Sequence, residues 1–184
     1  KDNQLIFQRL AKIYGCIFID EIQDLAGYDL DIVKNIYLSI QNVIAVGDPR
    51  QTTYSTHHSQ KYGKYSKGKI KNYFVEHLNG ICEIDEVTLC KSHRNEPIIC
   101  HISSQLFPDF TPSESCVCCN DSHIEHLGIF YVPESKKLSY LEQYKPIQLR
   151  WDSRNKKVDS QYPSMNIGSS KGLTLDRVIL YPTS

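Results

Sequence analysis

Two short apolar runs constrain the fold of this chain more than anything else in it. Cys16-Ile17-Phe18-Ile19 and Val43-Ile44-Ala45-Val46 carry no polar alternation, and each follows a stretch with helical spacing. Leu5, Ile6, Leu10 and Ile13 form the first helical stripe, which Gly15 stops; Leu30, Val33, Ile36, Tyr37 and Ile40 form the second. Strands without alternation, separated by helices, belong to a parallel sheet covered on both faces. The expected fold class is α/β.

Further along, the pattern is less regular. Thr52 to Asn72 is polar and without clean period. Val87-Thr88-Leu89, Ile129 to Val132, Ile147 to Arg150 and Arg177 to Tyr181 read as strands. Helices are expected over Glu96 to Phe107 and Leu138 to Tyr144, with Asp152 to Pro163 as a polar link. A second alternating block starts near residue 90, so the chain divides into 1–88 and 89–184. Lys1 at the start and Met165 as the only methionine suggest a piece of a longer protein.

Composition narrows the functional classes. Lys plus Arg and Asp plus Glu are each 21 of 184 residues, so a uniformly basic nucleic-acid coat is excluded while a local basic patch is not. The 40% hydrophobic content supports a packed core. No apolar run approaches the length of a membrane span. Seven cysteines without an even framework fit buried, reduced thiols and a cytoplasmic location better than secreted disulfides.

The chemistry-bearing elements follow the strands. Asp20 and Glu21 end the first one, which places two carboxylates at the carboxyl edge of a sheet, where open α/β folds bind ligands. One can hold Mg²⁺ while the other faces an attacking water. The second strand ends in Gly47-Asp48-Pro49-Arg50-Gln51, a rigid turn that presents a glutamine, with Tyr54 after it. Ser92-His93-Arg94 sets an arginine at a strand-to-helix junction, suited to stabilising phosphoryl charge. Asn166 to Leu173 is a small polar loop suited to phosphate contacts.

In order, these four resemble motifs II, III, IV and V of the UvrD/Rep-type superfamily 1 DNA helicases. Asp20-Glu21-Ile22-Gln23-Asp24-Leu25 is similar to the family's Walker B, and Gly47 to Gln51 to its Gly-Asp-x-x-Gln motif. Ser92-His93-Arg94 resembles Asn-Tyr-Arg, and Ser170-Lys171-Gly172-Leu173 with Asp176 resembles Lys-Gly-Leu-Glu-Phe-Asp. The resemblance implies P-loop NTPase, RecA-like architecture: the later part of a first RecA-like domain and a compact second one. It also implies ATP and Mg²⁺ as cofactors and 3′–5′ movement on single-stranded DNA, in a process such as DNA repair. A nuclease or another DNA-processing protein is a possible partner.

By the same resemblance, Asp20 would coordinate Mg²⁺ and Glu21 would be the general base. Gln23 would couple the nucleotide to neighbouring motifs, and Gln51 would sense the γ-phosphate. Arg94 would reach the γ-phosphate across the cleft between the two domains, and Gly172 would lie on the nucleotide side of its motif. Tyr54 would stack on a base, an interaction of roughly 1–3 kcal/mol. Ser169, Ser170 and Lys171 would lie between nucleotide and DNA backbone.

The sequence also departs from the family. Ser55-Thr56-His57-His58 replaces a usual Trp-Arg-Gly-Ala run; Gly168 replaces a His and Thr174 a Glu that contacts the nucleotide sugar. The residues before Cys16 hold no Gly-x-x-x-x-Gly-Lys-Ser/Thr loop, and the final arginine motif is absent from the chain. Gly63 to Ile70 imitates the phosphate loop but ends in Ile70, without the hydroxyl, and follows no buried strand. These departures keep two other classes open: a non-catalytic nucleic-acid-binding module, and an ATP-driven switch.

Two further segments have both a bland and a functional reading. Lys61, Lys64, Lys67, Lys69 and Lys71 alternate with Tyr62, Tyr65 and Tyr73, which is either a solvated loop or a single-strand-binding surface of cations and rings. Cys116, Cys118, Cys119, His123 and His126 crowd closer together than the ligand pairs of a structural zinc site.

Overall fold

The computed structural model describes residues 2–52, 60–119, 126–155 and 157–182. It forms two compact units, Lys1–Asp85 and Glu86–Ser184.

In the first unit, α1 (Asp2–Ile13), β1 (Ile17–Ile19), α2 (Asp29–Ser39) and β2 (Val43–Ala45) appear in the order the apolar spacing predicts. β1 and β2 pair in parallel, with Phe18 opposite Ile44. The ladder extends one step beyond the strands, because Val46 N–H donates to the Ile19 carbonyl and Ile22 N–H to the Val46 carbonyl. Among the described residues the sheet is covered on one face, where a two-face cover was expected. Ile19 and Ala45 pack on the core, whereas Phe18 on the opposite face is 73% exposed.

The core of this unit joins Leu30 and Val33 of α2 to Tyr65 and to Ile70, Tyr73, Phe74 and Leu78 in and after α3 (Ile70–His77). The polar stretch from Thr52 to Asn72 therefore supplies Tyr65 and Ile70 to the core. Tyr65 is 3% exposed, and its hydroxyl meets Glu76 Oε2 and His77 Nε2, each at 2.8 Å. Lys61 Nζ and the Tyr62 hydroxyl both donate to Asp31 of α2, at 2.5 and 2.9 Å. These contacts tie residues 60–65 down onto α2 and α3.

Asp31 is thereby an acid-sensitive tie. Burial raises its carboxyl, but the Lys61 and Tyr62 hydrogen bonds and the lysine charges outweigh burial and leave it below the usual range. A group depressed in the folded state stabilises above the unfolded pKa of about 3.9 and loses that contribution as pH falls through the folded value. The expected result is an acid limb of stability, measured as urea midpoint between roughly pH 5 and pH 2, that is shallower in Asp31→Asn than in the parent chain.

The second unit holds two parallel sheets. β3 (Lys91–Ser92) pairs with β4 (Glu114–Ser115), and α4 (Pro97–Leu106) lies between them in sequence. α5 (Lys137–Tyr144) precedes β5 (Ile147–Arg150), the central strand of the order β6–β5–β7, with β6 at Ser164–Asn166 and β7 at Val178–Leu180. The link from 151 to 163 is fastened to β5 by buried Gln148. Its amide nitrogen donates to the Asp159 and Tyr162 carbonyls at 2.8 and 3.3 Å. Its Oε1 accepts from Asp159 N–H at 2.9 Å and from the Tyr181 hydroxyl at 2.8 Å.

Several expectations fail here. Val87 to Leu89 and Ile129 to Val132 form no strand, and Leu89 and Tyr131 are exposed. β6 was unforeseen, since Ser164-Met165-Asn166 pairs through its backbone rather than through an apolar signature. Cys100 is buried as expected, but Cys16 is exposed, and Cys116 and Cys118 are joined in a disulfide. Their spacing by one residue brings the two thiols together. No helix of the described residues is long and apolar enough to cross a membrane.

Candidate functional site

The carboxyl ends of β1 and β2 lie side by side because the strands are parallel and in register. The chain leaves β1 through Asp20, whose Oδ1 accepts the Glu21 N–H at 2.8 Å. Glu21 then adopts a left-handed conformation, φ 53° and ψ 40°, before the 3₁₀ turn Ile22–Asp24. A residue with a Cβ costs about 1–2 kcal/mol in that region, and such outliers cluster at functional sites.

Gln23 is the joint between the two strand ends. It is 6% exposed, and its Nε2 donates to Glu21 Oε2. Its buried Oε1 has no hydrogen-bond partner among the described residues. Gly47, just beyond β2, presses against this amide. A Cβ on Gly47 would stand 2.1 Å from Gln23 Oε1, 2.9 Å from Ile22 Cγ2 and 3.1 Å from the Ile22 nitrogen.

Gly47→Ala is therefore expected to destabilise the chain by about 1–3 kcal/mol, the usual range for overpacking, and to detach the Gln23 amide from Glu21. Part of that loss should return in Gly47→Ala combined with Gln23→Ala, because the nearest obstruction, the amide, is gone while Ile22 still crowds the new Cβ. Urea midpoints of the four proteins in this double-mutant cycle test it, and simple additivity would refute the steric account.

Asp48 organises the second turn. It caps the 3₁₀ turn Pro49–Gln51 by accepting Arg50 N–H at 3.0 Å, and it accepts Arg50 Nε and Nη2 at 2.9 and 3.1 Å. Gln51 Nε2 also donates to it, at 3.2 Å. Burial pushes the Asp48 carboxyl up, but the Arg50 hydrogen bonds and charge, with the Gln51 amide, hold it below the usual range. Gln51 is exposed, and its terminal amide is tied to this carboxylate. Tyr54 lies outside the described residues, as do Ser55 to His58 and His123.

In the second unit Arg94 is exposed directly after β3. Ser92 Oγ accepts the Arg94 and Asn95 N–H groups at 3.3 and 3.1 Å, which shapes the turn that presents it. Ser169 and Ser170 lie in the 3₁₀ turn Ile167–Ser170, beyond the carboxyl end of β6. Ser170, Lys171, Gly172 and Leu173 then form a type II turn. Lys171 has φ −57° and ψ 134°, Gly172 has φ +78°, and Leu173 N–H donates to the Ser170 carbonyl at 3.1 Å. A positive φ at the third position is why glycine stands there.

Two of the three tyrosines in the lysine–tyrosine segment face inward. Tyr65 and Tyr73 are buried, and Lys64 is paired with Glu76 at 2.5 Å as Lys61 is with Asp31. A ring packed into the core cannot stack on a base. Lys67, Lys69 and Lys71 remain exposed. Nor is Gly63 to Ile70 a phosphate loop: Gly63–Tyr65 is a 3₁₀ turn whose tyrosine points inward. No pattern in the one-dimensional sequence separates inward from outward tyrosines here, apart from the spacing of Tyr73, Phe74 and Leu78.

Residues 1–62 match the family model of the UvrD/REP helicase N-terminal domain. This part of the chain is thus similar to a UvrD-like helicase, and it contains Asp20, Glu21, Gln23, Gly47 and Gln51. No curated protein matches the chain.

Proposed function

We propose that this chain is part of an ATP-dependent DNA helicase or translocase that couples ATP hydrolysis to 3′–5′ movement on single-stranded DNA. The observation that carries the proposal is the Glu21 corner: a carboxylate held in a left-handed turn at the end of a parallel strand, bonded by a buried glutamine that abuts Gly47. The similarity of residues 1–62 to the UvrD/REP helicase N-terminal domain supports the same reading. In it, the two units are parts of two RecA-like domains, the protein is cytoplasmic, and a nuclease or another DNA-processing protein is a possible partner.

The residues present fit ATP and Mg²⁺. A hard dication prefers carboxylate oxygen, which Asp20 supplies, and the orphaned, buried Gln23 Oε1 adds a polar atom beside Gly47 at the same strand ends. Bound magnesium would neutralise charge on the phosphates. Glu21 would take the proton of the attacking water at its carboxylate. Gln51 and Arg94 would bind the terminal phosphate, Gly172 would let the backbone approach the nucleotide, and Ser169, Ser170 and Lys171 would contact the DNA backbone. Tyr54 would stack on a base.

The test is DNA-stimulated ATP turnover by the intact parent protein. Glu21→Gln keeps the shape and the acceptor for Gln23 but removes the base, and kcat should fall by about 10²–10⁴-fold, the usual contribution of a positioned base. Turnover unaffected by that change would refute the reading. An absence of DNA-stimulated turnover in the parent would favour a non-catalytic binding module or a nucleotide-driven switch, the classes that Gly168 and Thr174 motivate. The 184-residue chain alone, without a phosphate loop in its sequence, is expected to hydrolyse ATP only at background rate.

A further inference from the structure

The small sheet of the second unit brings together three donors that sequence spacing does not. β3 and β4 run parallel with Ser92 opposite Ser115, and Cys116 N–H continues the ladder onto the Ser92 carbonyl at 2.8 Å. His93 and Cys116 are the residues just beyond the paired ends of β3 and β4. Cys118, in the 3₁₀ turn Val117–Cys119, is held beside Cys116 by their disulfide. His93 and the two cysteines have their donor atoms all within 4.8 Å of one another.

The crowded Cys116-to-His126 segment supplies only part of this group. His126 is occupied elsewhere, stacked on Phe130 and Tyr144 with centroids 4.0 and 5.2 Å away. His93, read from the sequence only as part of the arginine motif, takes its place beside the cysteines. The signal that could have found it is the pairing of two short strands more than twenty residues apart, which no local spacing contains.

We propose that His93, Cys116 and Cys118 form a zinc site when the cysteines are reduced. Two thiolates and an imidazole are a typical zinc donor set, leaving one position of the tetrahedron for water or another donor. Donors around a tetrahedral zinc stand about 3.5–4 Å apart, given Zn–S near 2.3 Å and Zn–N near 2.0–2.1 Å. The cluster needs only small side-chain movements to reach that spacing.

The scaffold beneath the site is well tied. Ser104 Oγ of α4 donates to the Cys100 carbonyl at 2.8 Å and accepts Ser113 N–H at 3.0 Å, fixing the entry to β4. Ser92 Oγ holds the backbone on the far side of His93. Donors carried by such a frame lose little freedom on binding.

The disulfide is the oxidised form of the cysteine pair. A dithiol reductant opens it: two electrons and two protons pass to Cys116 and Cys118, giving two thiols, while the reductant's thiols become its own disulfide. Zinc then binds as both thiol protons leave to solvent. The site does not depend on the helicase reading, although it lies one residue from Arg94.

Cobalt(II) titration of the dithiol-reduced 184-residue chain, followed by absorbance with zinc as competitor, tests the proposal. One equivalent should give thiolate-to-cobalt charge-transfer absorption and the visible bands of a tetrahedral ion, both erased by zinc. Cys118 and His93 are exposed, so Cys118→Ser and His93→Ala leave the core intact, as circular dichroism would register. Cys118→Ser should roughly halve the charge-transfer intensity. His93→Ala should weaken cobalt binding at least about tenfold, the low end of what even an outer-shell change costs. The unreduced chain should give no bands. Bands absent from the reduced parent, or unchanged in both variants, would overturn the site.

Discussion

Tyr73→Ala should destabilise the first unit by about 3–5 kcal/mol, the range for removing a large aromatic side chain from a core. Tyr73 is 0% exposed and stands at the centre of an aromatic cluster. Its ring centroid lies 5.3 Å from those of Tyr62 and Tyr65, 6.0 Å from Phe74 and 4.7 Å from His77. The edge-on arrangements leave little room for neighbours to collapse into the space. Its hydroxyl donates to the Leu30 carbonyl at 2.6 Å, joining α3 to the start of α2. Burial pushes the phenol pKa up, and the nearby Tyr62 and Asp31 push it further, so it stays a donor throughout the neutral range.

Against a total stability of about 5–15 kcal/mol for a domain, the alanine variant should lose most of its folded population at moderate urea. Tyr73→Phe, which removes only the hydrogen bond, should cost about 0.5–1.5 kcal/mol. Urea denaturation with amide exchange of α2 and α3 separates the two. An alanine variant no weaker than the phenylalanine variant would show that the ring is not the keystone of this core.

Gln148→Leu should destabilise the second unit by about 2–4 kcal/mol, although it exchanges a polar side chain for an apolar one of similar size. The site is 0% exposed, and the amide makes four hydrogen bonds there. Water can reach Asp159 and Tyr162, which are only partly buried. Tyr181 is buried, so its hydroxyl would be left without that acceptor, and an unsatisfied buried polar group costs about 1–3 kcal/mol. The rest comes from releasing the 151–163 link.

Trp151, the single tryptophan, follows β5 directly and reports this unit. Its fluorescence should show a lower urea midpoint and earlier protease cleavage within the link. A Gln148→Leu chain as stable as the parent would mean that the link is held by something other than this amide.

The first fifty residues were legible, and so were α4, α5, β5 and β7. Continuous apolar runs and helical stripes are one-dimensional signals, and α1, β1, α2 and β2 follow them. The two-residue strands β3 and β4 and the polar β6 were illegible, because backbone hydrogen bonds to a distant partner create them. The Asp20-Glu21 and Gly47-to-Gln51 elements could be read as candidates from residue type and place after a strand. That Gln23 and Gly47 touch, and that Glu21 sits in a left-handed turn, could not.

The sequence by itself determined an α/β order and the chemistry available at the strand ends, because helical period, strand run and carboxylate identity are properties of neighbouring residues. The tertiary structure alone decided which tyrosines face inward. It turned a composition that suggests a nucleic-acid surface into the core of the first unit. It also decided that His93 meets Cys116 and Cys118. Both outcomes depend on contacts between segments far apart in the chain, and the burial and pairing that select them exist only once those segments have come together.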